Sequence, residues 1–241
     1  MSPFRIWAWL VLAFFTPILI QTARFRADSV PSDAVLGTII FFLITEVTCL
    51  LGLLLWATPL ILTELEANSW LYAAVRPGGR VHLLIGKYLN AVVWVFLAAF
   101  ASISLTAKSV EYLYGDALLL WGVVTALSAL ASLSYGALFC LLAVAFPRRS
   151  MVIAVANVLI FEFLLSFLPA TVNRLTVLYR LRSLLVQWMG WYDQLDPNMQ
   201  LFLSDAPAWQ NVLFVLLLSA VYLGAAVVVV QFREYLTDRP E

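Results

Sequence analysis

Charge is scarce in this chain. Only 12% of its 241 residues are charged, against 63% hydrophobic and 14% aromatic, whereas soluble domains carry about 25% charged residues. A globule of this size could not be given a wetted surface from so few, and the mean hydropathy of +0.96 agrees. Net charge is also absent, with 14 basic and 14 acidic side chains, so no basic surface argues for nucleic acid. A single histidine, His82, excludes metal sites built on two histidines and the H-E-x-x-H protease motif. Placed near Arg80 at the start of an apolar run, His82 reads as an interfacial polar side chain. The only cysteines, Cys49 and Cys140, both fall inside apolar runs, where a free thiol packs as a small hydrophobe rather than in a disulfide or metal site.

What remains is apolar sequence in long stretches. About 20 residues are needed to cross some 30 Å of hydrocarbon, and that criterion finds six spans, approximately 4–23, 36–62, 88–107, 117–146, 151–172 and 208–232. Backbone polar groups in lipid must be satisfied within each segment, so the spans are helices. The expected fold is an all-α integral membrane protein, one transmembrane domain over 1–241. The first run lacks a small-x-small cleavage site before Arg24 and Arg26 and is expected to stay in place as a span.

An even number of spans puts both termini on one side. Arg5, Arg76, Arg80, Lys87, Arg148, Arg149, Arg233 and Arg239 then lie on the terminal side, and Arg24, Arg26, Lys108, Arg174, Arg180 and Arg182 on the other. Eight against six, with Arg148-Arg149 in a short connection, places the termini inside.

The connection 171–207 is divided. Leu175, Leu178, Leu181, Leu185 and Trp188 recur at three- and four-residue spacing, with Trp191 and Tyr192 as interface aromatics. Arg174 and Arg182 interrupt the same side, so a short helix on the outer surface, or dipping into it, is expected. The stretch 193–198 reads as an exposed turn. In the fourth span Ser128, Ser132 and Gly136 recur every fourth position, which lets another helix approach closely, from the same chain rather than across a subunit interface.

Two acids lie inside spans, Glu46 and Glu162, with Asn157 and Asn90 as further polar residues at depth. An ionisable group in hydrocarbon is costly and is a functional candidate by default. Glu46, Glu162 and Asn157 could line a translocation path. Alternatively the carboxyls serve packing, bonded to neighbours such as Thr45, Thr48 or Asn157. The acid pairs Glu64/Glu66 and Asp193/Asp196 sit in turn or surface segments, which ranks catalysis below a structural reading.

The one long patterned polar segment is 63–87. Glu64 and Glu66 leave the second span, Asn68 and Ser69 supply side chains suited to capping a helix, and Trp70-Leu71-Tyr72-Ala73-Ala74-Val75 follow. Pro77, Gly78 and Gly79 stop that helix, and Arg80 and Lys87 bracket entry to the third span. The run ends in Gly86-Lys87, but a P-loop needs Gly at the position of Val81 and Ser or Thr after the lysine, where Tyr88 stands. The chain does not bind ATP by that route.

In its spacing of Glu64, Asn68-Ser69, the short apolar helix, Pro77, Arg80 and Gly86-Lys87, the segment resembles the permease subunits of ABC-2 type ABC transporters. Asn68-Ser69 stands where that family has a Gly-Thr-type pair. The six-span layout and the long connection before the last span are similar too. The family's amphipathic segment ahead of the first span has no counterpart before Phe4, which leaves a shortened start or an ATPase contact resting on fewer elements.

The resemblance implies an ATP-driven transport subunit, an exporter by type, with no enzymatic activity of its own. Its partners would be a separate ABC ATPase subunit binding ATP and Mg, a second permease subunit, identical or not, and membrane lipid. It implies a bacterial-type cytoplasmic membrane with both termini cytoplasmic. The coupling helix would present Glu64, Glu66, Asn68, Ser69, Trp70, Leu71, Arg76, Pro77, Arg80 and Lys87 to the ATPase. Two other classes compete: an intramembrane or lipid-modifying enzyme using Glu46 and Glu162, and an assembly protein that transports nothing.

Overall fold

In the computed structural model the described residues are 3–26, 33–67, 69–110, 117–160, 176–192, 203–204 and 206–233, and every element among them is helical. Helix α1 is Pro3–Arg26, α2 Asp33–Phe41, then a π-helical stretch Phe42–Thr48 and α3 Cys49–Trp56 in continuation. Two short helices follow, α4 Leu62–Glu66 and α5 Trp70–Val75. Helices α6 Gly79–Val110 and α7 Ala117–Ala145 are long, a single 3-10 turn Pro147–Arg149 leads to α8 Ser150–Asn157, and α9 Val177–Met189 and α10 Ala208–Phe232 complete the described elements.

Among the described residues five helices are long and apolar enough to cross a membrane: Arg5–Ala23, Asp33–Trp56, Gly79–Val110, Ala117–Ala145 and Ala208–Phe232. They coincide with the first, second, third, fourth and sixth expected spans. The third starts nine residues earlier than the hydropathy suggests, because Arg80, His82 and Lys87 are built into the first turns of α6. Of the expected fifth span only α8 and the residues up to 160 are described; Glu162 lies outside the described residues, as do the turn at 193–198, Leu175 and Arg174.

Helix α7 is the axis, in contact with α3, α6, α8, α9, α10 and the π-helical stretch. Its most apolar window is 72% buried, against 17% for α10. The small residues make this possible. The Ser128 hydroxyl lies 3.1 Å from that of Thr45, and a Cβ on Gly136 would come within 2.8 Å of Val92 Cγ2 and 3.2 Å of Tyr88 Cε2. The Ser128–Ser132–Gly136 stripe is thus used within the chain. Ser134 bonds Ser219 at 2.7 Å to fasten α7 to α10. Cys49 and Cys140 are free and buried, as their apolar surroundings require.

Carbonyls at the C-terminal ends of α7 and α10 have no helical partners, and arginines take up some of them. Arg233 donates to the carbonyls of Val144 (3.4 Å) and Ala145, and Arg80 to that of Gln231 at 3.3 Å. A cation there also suits the negative end of the helix dipole. With Ser150 donating to the Thr58 carbonyl at 2.8 Å, these bonds gather the ends of α3, α7 and α10 and the starts of α6 and α8 at one end of the bundle.

Candidate functional site

At that end the chain turns from α3 into α4 and α5, and one lysine holds the turn. Lys87, two turns into α6, donates to the Leu60 carbonyl at 2.9 Å and the Thr63 hydroxyl at 3.2 Å, and forms an ion pair with Glu64. These three contacts match the three protons of an ammonium. The Glu64 carboxylate also receives the Ser69 hydroxyl, and the Ser69 amide returns to the Glu64 carbonyl at 3.1 Å. Partial burial works to raise the Glu64 carboxyl, but the hydrogen bonds from Lys87 and Ser69 and the Lys87 charge outweigh it and hold the group below its ordinary value of 4.5.

Ser69 therefore does not cap α5 as its position suggests: it is the N-cap residue, but its side chain makes no capping bond and is spent on Glu64. Asn68 lies outside the described residues. Trp70 is 3% exposed and anchors α5 to the core, while Tyr72 and Val75 are 79% and 85% exposed. Glu66, Arg76 and Pro77 are exposed as well, and Leu71 belongs to α5. The helix ends because Arg76 is extended before Pro77 and Gly78 adopts φ 72°, a left-handed conformation that suits glycine. His82 closes the turn with Nδ1 2.8 Å from the Gly78 carbonyl. Of the residues expected to face a partner, Glu64, Ser69 and Lys87 bond one another, Trp70 is buried and Arg80 reaches the end of α10, while Glu66, Arg76 and Pro77 are exposed with Tyr72 and Val75.

The second site lies inside the bundle. Glu46, in the π-helical stretch, is 1% exposed and is gripped by Arg182 of α9, with Nε to Oε1 at 2.9 Å and the second contact to Oε2 at 3.1 Å. The neighbours expected for Glu46 have other partners: Thr45 bonds Ser128 and Thr48 the Leu43 carbonyl at 3.0 Å. Asn157, at the end of α8, is half-buried.

Arg182 can reach so far because α9 packs inside the bundle. Val177, Leu178, Leu181, Leu184 and Leu185 are all buried, and Trp191 beyond its end lies where a Cβ on Gly37 would be 2.1 Å from its ring. The contacts Gly37 to Trp191 and Glu46 to Arg182 follow opposite chain directions, so α9 and the turn after it run antiparallel to the second span.

Sequence reasoning missed the opposite face of α9. Arg180, two residues and hence about 200° from Arg182, donates to Ser204 at 3.1 Å and Asn211 at 2.8 Å, with the Phe214 ring 4.5 Å from its guanidinium. Ser183 accepts from the Ser204 amide at 2.8 Å, and Gln187 donates to the carbonyls of Ser204 and Ala206 at 3.2 and 2.8 Å. The available signal was the rule that a buried carboxylate needs a cation; the obstacle was that Arg180 and Arg182 looked like outer-surface charges.

Among the described residues no group of three or more His, Cys, Asp and Glu side chains gathers to hold a metal ion. No family model, curated protein or solved structure matches the chain.

Proposed function

We propose that the chain is the membrane-spanning subunit of an ATP-driven transporter of the ABC-2 type, with the α4–α5 hairpin as the element a separate ATPase subunit pushes. One observation carries this reading: the Lys87–Glu64–Ser69 clamp ties the hairpin to α6 and to the turn after α3 while leaving Tyr72 and Val75 exposed. A lever needs both properties, a stiff root and a surface that a partner can grip. Exposed apolar side chains rimmed by Glu66 and Arg76 have the mixed character of a protein contact.

The basic residues favour the N-terminal side by eight to six, consistent with a cytoplasmic hairpin. Helix α9 beside the outer part of the second span reads as a segment that enters the membrane and returns. Glu46, committed to Arg182, is then a strut of the moving bundle rather than an acid–base group. Such a subunit would act beside a second permease chain, with ATP and Mg bound by the ATPase.

Co-expression with the candidate ATPase and pull-down tests this. Deleting 66–76, or Glu64→Ala, should abolish co-purification and ATP-driven flux in vesicles. Retention of both after the deletion refutes the proposal.

A further inference from the structure

Behind the hairpin, where α1, α3 and α6 meet, is a recess of about 70 Å³ lined by Arg5, Trp56, Thr63, Lys87 and Asn90 among others. Its polar groups do not balance. Trp56 is 6% exposed, and its indole N–H is buried with no acceptor, a loss of about 1–3 kcal/mol that a ligand oxygen would recover. Lys87 is consumed by Leu60, Thr63 and Glu64, its charge already matched, and the Thr63 hydroxyl donates to Pro59 at 3.0 Å. What is left over is dominated by donors: the Arg5 guanidinium, for which no described residue supplies a carboxylate, and the Trp56 N–H can only donate, while the exposed Asn90 amide can donate through its NH2.

Donors with one positive charge that no described carboxylate matches suit an anionic oxygen ligand; water would satisfy the N–H groups but would not neutralise the guanidinium. The volume corresponds to roughly two waters at about 30 Å³ each, enough for one compact oxyanion group. Above Asn90 on α6, Val93, Leu97 and Phe100 follow at three- and four-residue spacing and are 52%, 42% and 38% exposed, an apolar track on the same helix face. We infer that the recess binds a phosphate, that of a net-anionic glycerophospholipid, with an acyl chain along Val93, Leu97 and Phe100. Basic pockets between helices at a membrane surface take such headgroups, and a choline ammonium would be repelled by Arg5. This inference stands apart from the transporter reading, since it uses only the recess and its lining.

The full chain in detergent is titrated with phosphatidylglycerol, and with phosphatidylcholine of the same acyl chains, by native mass spectrometry. One phosphatidylglycerol should bind in preference to phosphatidylcholine. Trp56→Phe and Arg5→Gln should each weaken it about ten-fold, the worth of one hydrogen bond to a charged group. Asn90→Ala, at an exposed position, keeps the test open if Trp56→Phe fails to fold, and should weaken binding in the same direction. Displacement of the lipid by millimolar inorganic phosphate would keep the phosphate chemistry but overturn the lipid as its source. Equal binding of both lipids, or unchanged affinity in the variants that fold, overturns the site.

Discussion

Replacing Arg182 by Met strands the Glu46 carboxylate at a position only 1% exposed. Breaking a buried pair by removing one partner costs about 3–5 kcal/mol. The Arg182 side chain is itself 37% exposed, so part of its charge was never taken from its surroundings, and the lower end, about 3 kcal/mol, is expected. Glu46→Gln should be milder, about 1–2 kcal/mol, because the amide oxygen still accepts one hydrogen bond and Arg182 can turn outward. The double variant Glu46→Leu with Arg182→Met leaves no charge behind and should lie within about 1 kcal/mol of the parent, or above it. Reversible unfolding by SDS titration in mixed micelles, run as a double-mutant cycle, measures all of these. A coupling energy below about 0.5 kcal/mol, with Arg182→Met as stable as the parent, would refute the claim that this pair holds α9 in the bundle.

Acid should loosen the hairpin. The folded Glu64 carboxyl sits below its ordinary 4.5, so its contribution is present above that pH and is lost as pH falls through the folded value; the difference in melting temperature between parent and Glu64→Gln should be largest near neutrality and shrink well below pH 4.5. Gly37→Leu should drive Trp191 from its seat, since even a Cβ would lie 2.1 Å from the ring; overpacking of this kind costs about 1–3 kcal/mol, and hydrogen exchange should show α9 opening first. Val75→Asp changes a residue that is 85% exposed; it should leave stability within about 0.5 kcal/mol yet abolish pull-down of the ATPase, and a stable variant that still binds would remove Val75 from the proposed contact.

The helices could be read from the chain because hydropathy is local. A run such as 117–146 must hide its backbone in a helix whatever its neighbours do, and α7 accordingly covers Ala117–Ala145. The end of the short helix Trp70–Val75 was legible in the breakers Pro77, Gly78 and Gly79, although Ser69 does not cap its start. The close approach at Ser128 and Gly136 could be anticipated from residue size alone. Direction is a different matter. That Ser69 would serve Glu64 rather than α5, and that Lys87 would spend all its protons on 60–64, depends on how two helices fold back on each other. Glu46 stood out as an acid at depth, but Arg182 stands 136 residues away in a segment whose charges looked fit for water. Only the packing of α9 against α7 and α10, with Trp191 seated over Gly37, brings the two together, because side-chain pairing follows spatial proximity and hydropathy follows the chain.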